Sequence, residues 1–230
     1  FKAEHKGITY YFIDNEYYFA GSNPYNNIYE DVEKFAYFSK AVLQALPLID
    51  FCPDVLHCND WQTGLVPVFL KNVFANDSFY VNIKTVFTIH NMKFQGRWMV
   101  NEVRDITGLP DSLFTADKLE CYGEANYLKG GCVYADAIST VSPSYALDIA
   151  TAEGGEGLSG LMSARRNDLY GIVNGIDYDE FNPMTDKCMD VNFDIDTVVE
   201  GKKANKKALQ TAMGLPEKED AFLIGMVSRM

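Results

Sequence analysis

Two short segments concentrate side chains suited to holding a polyhydroxyl ligand: Asn59-Asp60-Trp61-Gln62-Thr63-Gly64 and Thr88-Ile89-His90-Asn91-Met92-Lys93-Phe94-Gln95-Gly96. Asp60, Gln62, His90, Asn91 and Gln95 together offer carboxylate, amide and imidazole groups, which donate and accept hydrogen bonds in several directions. Trp61 adds a flat apolar face of the size of a pyranose ring. Each segment directly follows a run that reads as a short buried strand, Asp54 to Cys58 in one case and Lys84 to His90 in the other. Taken one at a time, these residues have ordinary explanations: Asp60 caps a helix, Trp61 fills the core, His90 is a half-buried histidine with a satisfied ring. Two such loops at adjacent strand ends are harder to explain that way, because open α/β sheets bind ligands beyond the carboxyl ends of their strands.

Other segments that match chemical motifs fail on context. Gly155-Glu156-Gly157-Leu158-Ser159-Gly160 fits GxGxxG, but the residues before it read as helix, and Glu153 and Glu156 would repel a pyrophosphate. It is expected to be a flexible, capped helix start. Asp194-Ile195-Asp196 resembles a DxD pair that holds a divalent cation, yet it lies in a polar stretch far from any strand end, so no metal site is expected there. His57 and Cys58 lack the spacing of a four-ligand site and are expected to pack in the core.

The elements that must position the two loops alternate in type. Ile8 to Phe12 and Tyr17 to Phe19, separated by Ile13-Asp14-Asn15-Glu16, predict a hairpin. Phe35, Phe38, Val42, Leu43 and Leu46 fall at helical spacing, with Pro47 and Pro53 bracketing the exit. Then follow a helix over Gly64 to Phe74, the Lys84 to His90 strand, a helix near Asn126 to Tyr134, a strand over Ala137 to Val141, a helix capped by Ser142 with Pro143 in its first turn, and a strand over Leu169 to Val173. This alternation predicts an α/β fold with a parallel, doubly wound, Rossmann-like sheet. Residues 1–182 are expected to form one domain, 183–200 a polar linker, and 201–230 the beginning of a second domain, with a helix over Lys202 to Met213 and an apolar strand over Ala221 to Val227.

Composition narrows the partners. The net charge of −12 over 230 residues argues against broad binding to nucleic acid or an anionic membrane. No apolar run approaches the roughly 20 residues of a membrane span. The segment from Phe1 to Lys6 has no signal-peptide pattern and no initiator Met, so the chain is expected to be cut from a longer protein. Five cysteines (52, 58, 121, 132 and 188), odd in number and without a CxxC pair, suit reduced thiols and a cytoplasmic setting.

At the two loops the sequence resembles the bacterial-type glycogen/starch synthases, whose N-terminal domain carries "H-x-(H/N)-D-W-x-x-G" and "(T/S)-(I/V)-H-N-x-x-(Y/F)-Q-G". Here these stand as His57 to Gly64 and Thr88 to Gly96. Further matches follow in the same order: Asn126 to Gly131, Tyr134 to Pro143, Gly155 to Leu161, Gly171 to Asp177, and Val227-Ser228-Arg229. The resemblance implies the N-terminal half of a two-Rossmann-domain (GT-B type) glycosyltransferase that extends an α-1,4-glucan acceptor by transferring glucose from an ADP-glucose donor, with retention and without a cofactor or metal. It implies that His90 is the catalytic residue, beside the C6 hydroxyl and anomeric centre of the reacting glucose. Asp60, Trp61, Asn91, Gln95 and Tyr25 would bind substrate, and Arg229 the donor diphosphate.

The family's "K-x-G-G-L" loop, its "Q-K-G" lysine and its "E-P-C-G" loop are absent here. The fragment without its C-terminal domain is therefore expected to be inactive, because preorganised charges from both domains supply most of the catalysis. Two alternatives remain beside this reading: a sucrose- or trehalose-forming glucosyltransferase on the same plan, and a non-catalytic glucan-binding module with Trp61 and surface tyrosines as platforms.

Overall fold

The structure, a computed structural model, describes residues 1–21 and 23–228. It falls into two units, Phe1–Asn174 and Gly175–Met230. The first opens in an antiparallel hairpin of β1 (Lys2–His5) and β2 (Ile8–Tyr11), turning at Lys6 and Gly7. The expected hairpin lay one element later. Asn15 instead accepts a hydrogen bond from the Tyr18 amide and starts the short helix α1 (Glu16–Phe19), so the aromatic run Tyr17 to Phe19 is helical.

Helix α2 (Ile28–Leu48) is capped by Asn27, whose side chain accepts from the Glu30 amide, and it buries Val32, Ala36, Leu43 and Leu46. Pro47 falls inside its last turn rather than beyond it. A proline there has no N–H for the carbonyl four residues back, and the orphaned carbonyl of Leu43 accepts the Tyr80 hydroxyl at 2.9 Å instead.

The strand-helix alternation continues through β3 (Val55–Asn59), α3 (Leu65–Asn72) and β4 (Lys84–Ile89). A small antiparallel sheet follows, made by β5 (Arg97–Met99), β6 (Glu120–Cys121) and β7 (Glu124–Asn126) in the order β5-β7-β6, with α4 (Val100–Thr107) between the first two. Then come α5 (Tyr127–Tyr134), β8 (Ala137–Thr140), α6 (Pro143–Asp148), α7 (Ser159–Ala164) and β9 (Leu169–Gly171). The main sheet is parallel throughout, in the order β3-β4-β8-β9.

Side chains alternate across this sheet. Cys58, Phe87, Ile89 and Ile138 are buried on one face. Helix α5 approaches so closely that a Cβ on Gly131 would lie 2.5 Å from the Phe87 ring, and one on Gly130 would meet Val68 of α3. His57 points to the other face. It is exposed rather than packed, and its Nε2 lies 2.6 Å from the Thr88 hydroxyl, which in turn contacts Ser139 Oγ at 2.6 Å.

The thiols follow the same partition. Burial pushes the Cys58 and Cys132 thiols up to about 12, whereas Cys52 and Cys188 are exposed. The thiolate is the reactive form. Iodoacetamide at pH 8 is therefore expected to alkylate Cys52 and Cys188 in the folded chain and to spare Cys58 and Cys132 until denaturant is added. Peptide mapping that finds Cys58 or Cys132 modified as fast as Cys52 would contradict the packing described here.

In the second unit, Asp194 accepts hydrogen bonds from the Asp196 amide and from the Thr197 hydroxyl and amide. The Thr197 hydroxyl and then these amides hold the Asp194 carboxyl below its usual range. Its Oδ1 thereby organises the turn that leads into α8 (Val198–Ala212). That helix ends in a Schellman arrangement, Gly214 N–H to Thr211 and Leu215 N–H to Gln210, with Gly214 left-handed. The apolar run expected as a strand from Ala221 has no regular secondary structure and pairs with no strand among the described residues, and Phe222 is 91% exposed. A strand needs a ladder partner, and apolar composition alone does not supply one.

Candidate active site

The two polar loops stand at the carboxyl ends of β3 and β4, which are adjacent and parallel. The ladder runs one residue past β3, where the Asp60 amide donates to the Thr88 carbonyl at 2.9 Å. There the backbone turns sharply: Asp60 has φ 56° and ψ −177°. This region is populated mainly by glycine and costs a side-chain-bearing residue on the order of 1–3 kcal/mol. The turn aims the carboxylate across to the neighbouring strand end, where Asp60 Oδ1 accepts the backbone N–H of His90 at 2.8 Å.

The imidazole is held by the same neighbour, with His90 Nε2 3.0 Å from Asn59 Oδ1. With the amide oxygen as acceptor, Nε2 is the donor, and in the neutral ring Nδ1 is then the acceptor. Backbone and ring of an exposed histidine are thus both fixed by residues of the adjacent strand end. Asn91, also exposed, accepts the Lys93 amide at 3.0 Å and closes a local turn.

His90 and Asn91 form one side of an open depression of about 580 Å³, and Val141, Ser142, Tyr145 and Asp148 form the other. The second group was given no site role in the sequence, where Ser142 and Pro143 read as a helix start and as the end of a family motif. Ser142 does cap α6, accepting the Tyr145 amide at 3.0 Å. The signal available was topological: β8 is the next strand of the same parallel sheet, so the turn after it lies on the same rim. The Tyr145 hydroxyl then accepts the Met92 amide at 3.0 Å and ties this turn to the His90 loop.

The remaining expected site residues divide. Tyr25 meets the first loop, accepting a hydrogen bond from Gln62 Nε2 at 3.0 Å while remaining about half exposed. Trp61 does not present a free face: it is 6% exposed, with Phe35 edge-on at 5.0 Å. A Cβ on Gly96 would fall 2.1 Å from the Trp61 ring, so the second loop lies directly against the indole. Gln95 also turns inward at 6% exposure. Its Nε2 donates to the carbonyls of Met92 and Glu156, and its Oε1 accepts from Asn126 Nδ2 at 2.6 Å. Both residues brace the loops from below instead of facing a ligand. Through Gln95 the brace reaches the glycine-rich turn at 155–160, which is thereby pinned, and α7 begins after Leu158 without a side-chain cap. Arg229 lies outside the described residues.

Comparison with known proteins places this rim in a family. Residues 1–164 match the model of the starch synthase catalytic domain. The chain belongs to the starch synthase catalytic domain family. It is 59% identical over its whole length to the glycogen synthase of Lachnospira eligens, covering 48% of that protein. It is 50% identical to the glycogen synthase of Geobacillus thermodenitrificans, covering 47% of it. The chain thus spans about half the length of the curated relatives it matches. A solved starch synthase shares the fold: the catalytic domain of Starch Synthase IV from Arabidopsis thaliana bound to ADP and acarbose superposes with a TM-score of 0.72 at 33% identity, over 84% of this chain and 39% of that one. The two polar loops quoted above as resembling the synthases are thus the paired strand ends of a starch synthase fold.

Proposed function

We propose that this chain supplies the acceptor-side domain of a cytoplasmic enzyme that extends α-1,4-glucan, moving glucose from ADP-glucose to the non-reducing end with retention. One observation supports the reading most: the Asp60 carboxylate and Asn59 amide hold both the backbone and the ring of His90 at the carboxyl rim of a starch synthase fold. The Arabidopsis relative, bound to ADP and acarbose, supports a nucleoside diphosphate sugar as donor and a glucan as acceptor.

In this reading the glucosyl ring sits over His90 while positive charge builds at its anomeric carbon. The fixed imidazole offers Nδ1 as an acceptor for a sugar hydroxyl, and the carboxylate of Asp60 sets the electrostatics beneath the reacting centre. Groups fixed before the reaction stabilise developing charge without reorganising. Asn91 and Tyr25 contact hydroxyls, Arg229 contacts the donor diphosphate, and the 230 residues alone hold half the cleft and transfer nothing. The glycogen synthase relatives match past the boundary at Asn174, over the whole chain, and in this reading residues 201–230 begin the nucleotide-binding domain. A non-catalytic glucan module is disfavoured by the burial of Trp61.

The deciding assay follows radiolabelled glucose from ADP-glucose into glycogen with the full-length protein. Transfer to fructose or a glucose phosphate, with none to glycogen, would move the protein to the sucrose or trehalose type. Transfer is also expected to survive excess chelator, because Asp194 is committed to its own turn and the diphosphate is met by side-chain cations. Activity lost in chelator and restored by magnesium or manganese would contradict that.

A further inference from the structure

The segment that carries Tyr25 is fastened by a buried ion pair. Asp31 and Lys34 lie one turn apart on α2, at 5% and 2% exposure, with Lys34 Nζ 3.0 Å from Asp31 Oδ1. Burying two opposite charges gains little stability by itself, since desolvation offsets most of their attraction. These two also reach outward to the same place. Asp31 Oδ1 accepts the backbone N–H of Asn26 at 3.1 Å, and Lys34 Nζ donates to the backbone carbonyl of Pro24 at 2.8 Å. The residue between those two anchors is Tyr25, whose ring lies 6.3 Å from that of Phe35 and whose hydroxyl meets Gln62 in the Asp60 turn. Phe35, in turn, packs edge-on against Trp61.

We propose that Asp31 and Lys34 are positioning residues for the acceptor: the pair clamps the peptide groups on either side of Tyr25 and so holds its hydroxyl at the rim of the site. The inference rests on the reading of Tyr25 as a sugar contact. The clamp has the form that a role in geometry requires. Its two charges satisfy each other and a backbone donor and acceptor, so that neither is left unpaired, and the residue it fixes is itself half exposed. A loosened Tyr25 would weaken contact with the glucan and leave the His90–Asp60 pair, on other elements, in place.

The test replaces the pair by apolar residues of similar volume, Asp31→Leu with Lys34→Met, so that no lone charge is left in the core. It is made in the full-length protein alone and together with Tyr25→Ala, which is also made singly. Hydrogen exchange over residues 23–27 reads the clamp directly; glucan KM and kcat at saturating ADP-glucose read its consequence. The double variant is expected to exchange faster in that segment and to raise glucan KM roughly tenfold, about the loss of one good hydrogen-bonding contact, with kcat little changed. Tyr25→Ala should raise KM as much, and adding the pair replacement to it should raise KM no further. A KM raised by Tyr25→Ala but not by the pair replacement, or raised additively by both, would overturn the clamp and leave the sugar-contact reading standing. A glucan KM unmoved by Tyr25→Ala would overturn that reading and the clamp with it. Unchanged exchange over 23–27 in the double variant would refute the clamp whatever the kinetics.

Discussion

Alanine at His90 in the full-length protein is expected to lower glucosyl transfer on the order of 100-fold or more while leaving donor binding and the melting temperature nearly unchanged. The imidazole is exposed and its ring bonds to Asn59, so its loss opens no core cavity. The backbone bond from the His90 amide to Asp60 survives the substitution. In the function proposed above, what disappears is a fixed dipole at the point where the transition state carries charge and the bound substrate does not. Only such differential contacts speed the chemical step. Glucosyl transfer to glycogen at saturating ADP-glucose, measured beside a thermal melt, separates the alternatives. A histidine that merely packs would cost about 1–3 kcal/mol of stability and spare the rate per folded molecule.

Asp60 predicts a more unusual pattern, because its backbone strain and its carboxylate can be separated. Both Asp60→Ala and Asp60→Gly remove the acceptor of the His90 amide, a loss of about 1.5–3 kcal/mol for a hydrogen bond to a charged group, less where solvent reaches the freed amide. Alanine keeps the cost of φ 56°, whereas glycine tolerates that conformation. The glycine variant should therefore melt higher than the alanine variant, by an amount corresponding to roughly 1–2 kcal/mol. Transfer should fall together in both, by on the order of 100-fold, because the carboxylate is missing from each. An Asp60→Gly protein with near-normal transfer would show that the turn alone matters. Equal melting of the two variants would show that the turn relaxes without strain.

How much of this could be read in advance depends on what each feature requires. The rim shared by Asp60 and His90 was legible because it follows from strand order: two buried runs joined by a crossover helix put their exits side by side. The cap at Ser142 was legible because a cap is local, set within three residues. The direction of a side chain beyond a strand end is not local. Trp61 and Gln95 have the chemistry of sugar contacts, and only the close approach of Gly96 and the carbonyls of Met92 and Glu156 show that both turn inward. The Tyr80 hydroxyl that completes the Pro47 turn lies 37 positions from its acceptor, beyond the reach of any pattern. The rim residues after β8 stand between these cases: no local spacing marks them, and strand order alone puts them beside His90.

The order β3-β4-β8-β9 has a consequence for how the domain is made. The strands are stacked in the sequence in which they are synthesised. Each parallel pairing must first close a long crossover, and that entropy is spent before any ladder bond forms. On the ribosome, however, each of these four strands leaves the tunnel after the one it pairs with, so none of these three pairings waits for a strand translated later. Asp60 is therefore translated before the amide it will bind, and its strained turn is completed only as β4 docks. The contact between Asp60 and His90 thus needs β3 and β4 alone and neither of the two strands translated after them in this sheet.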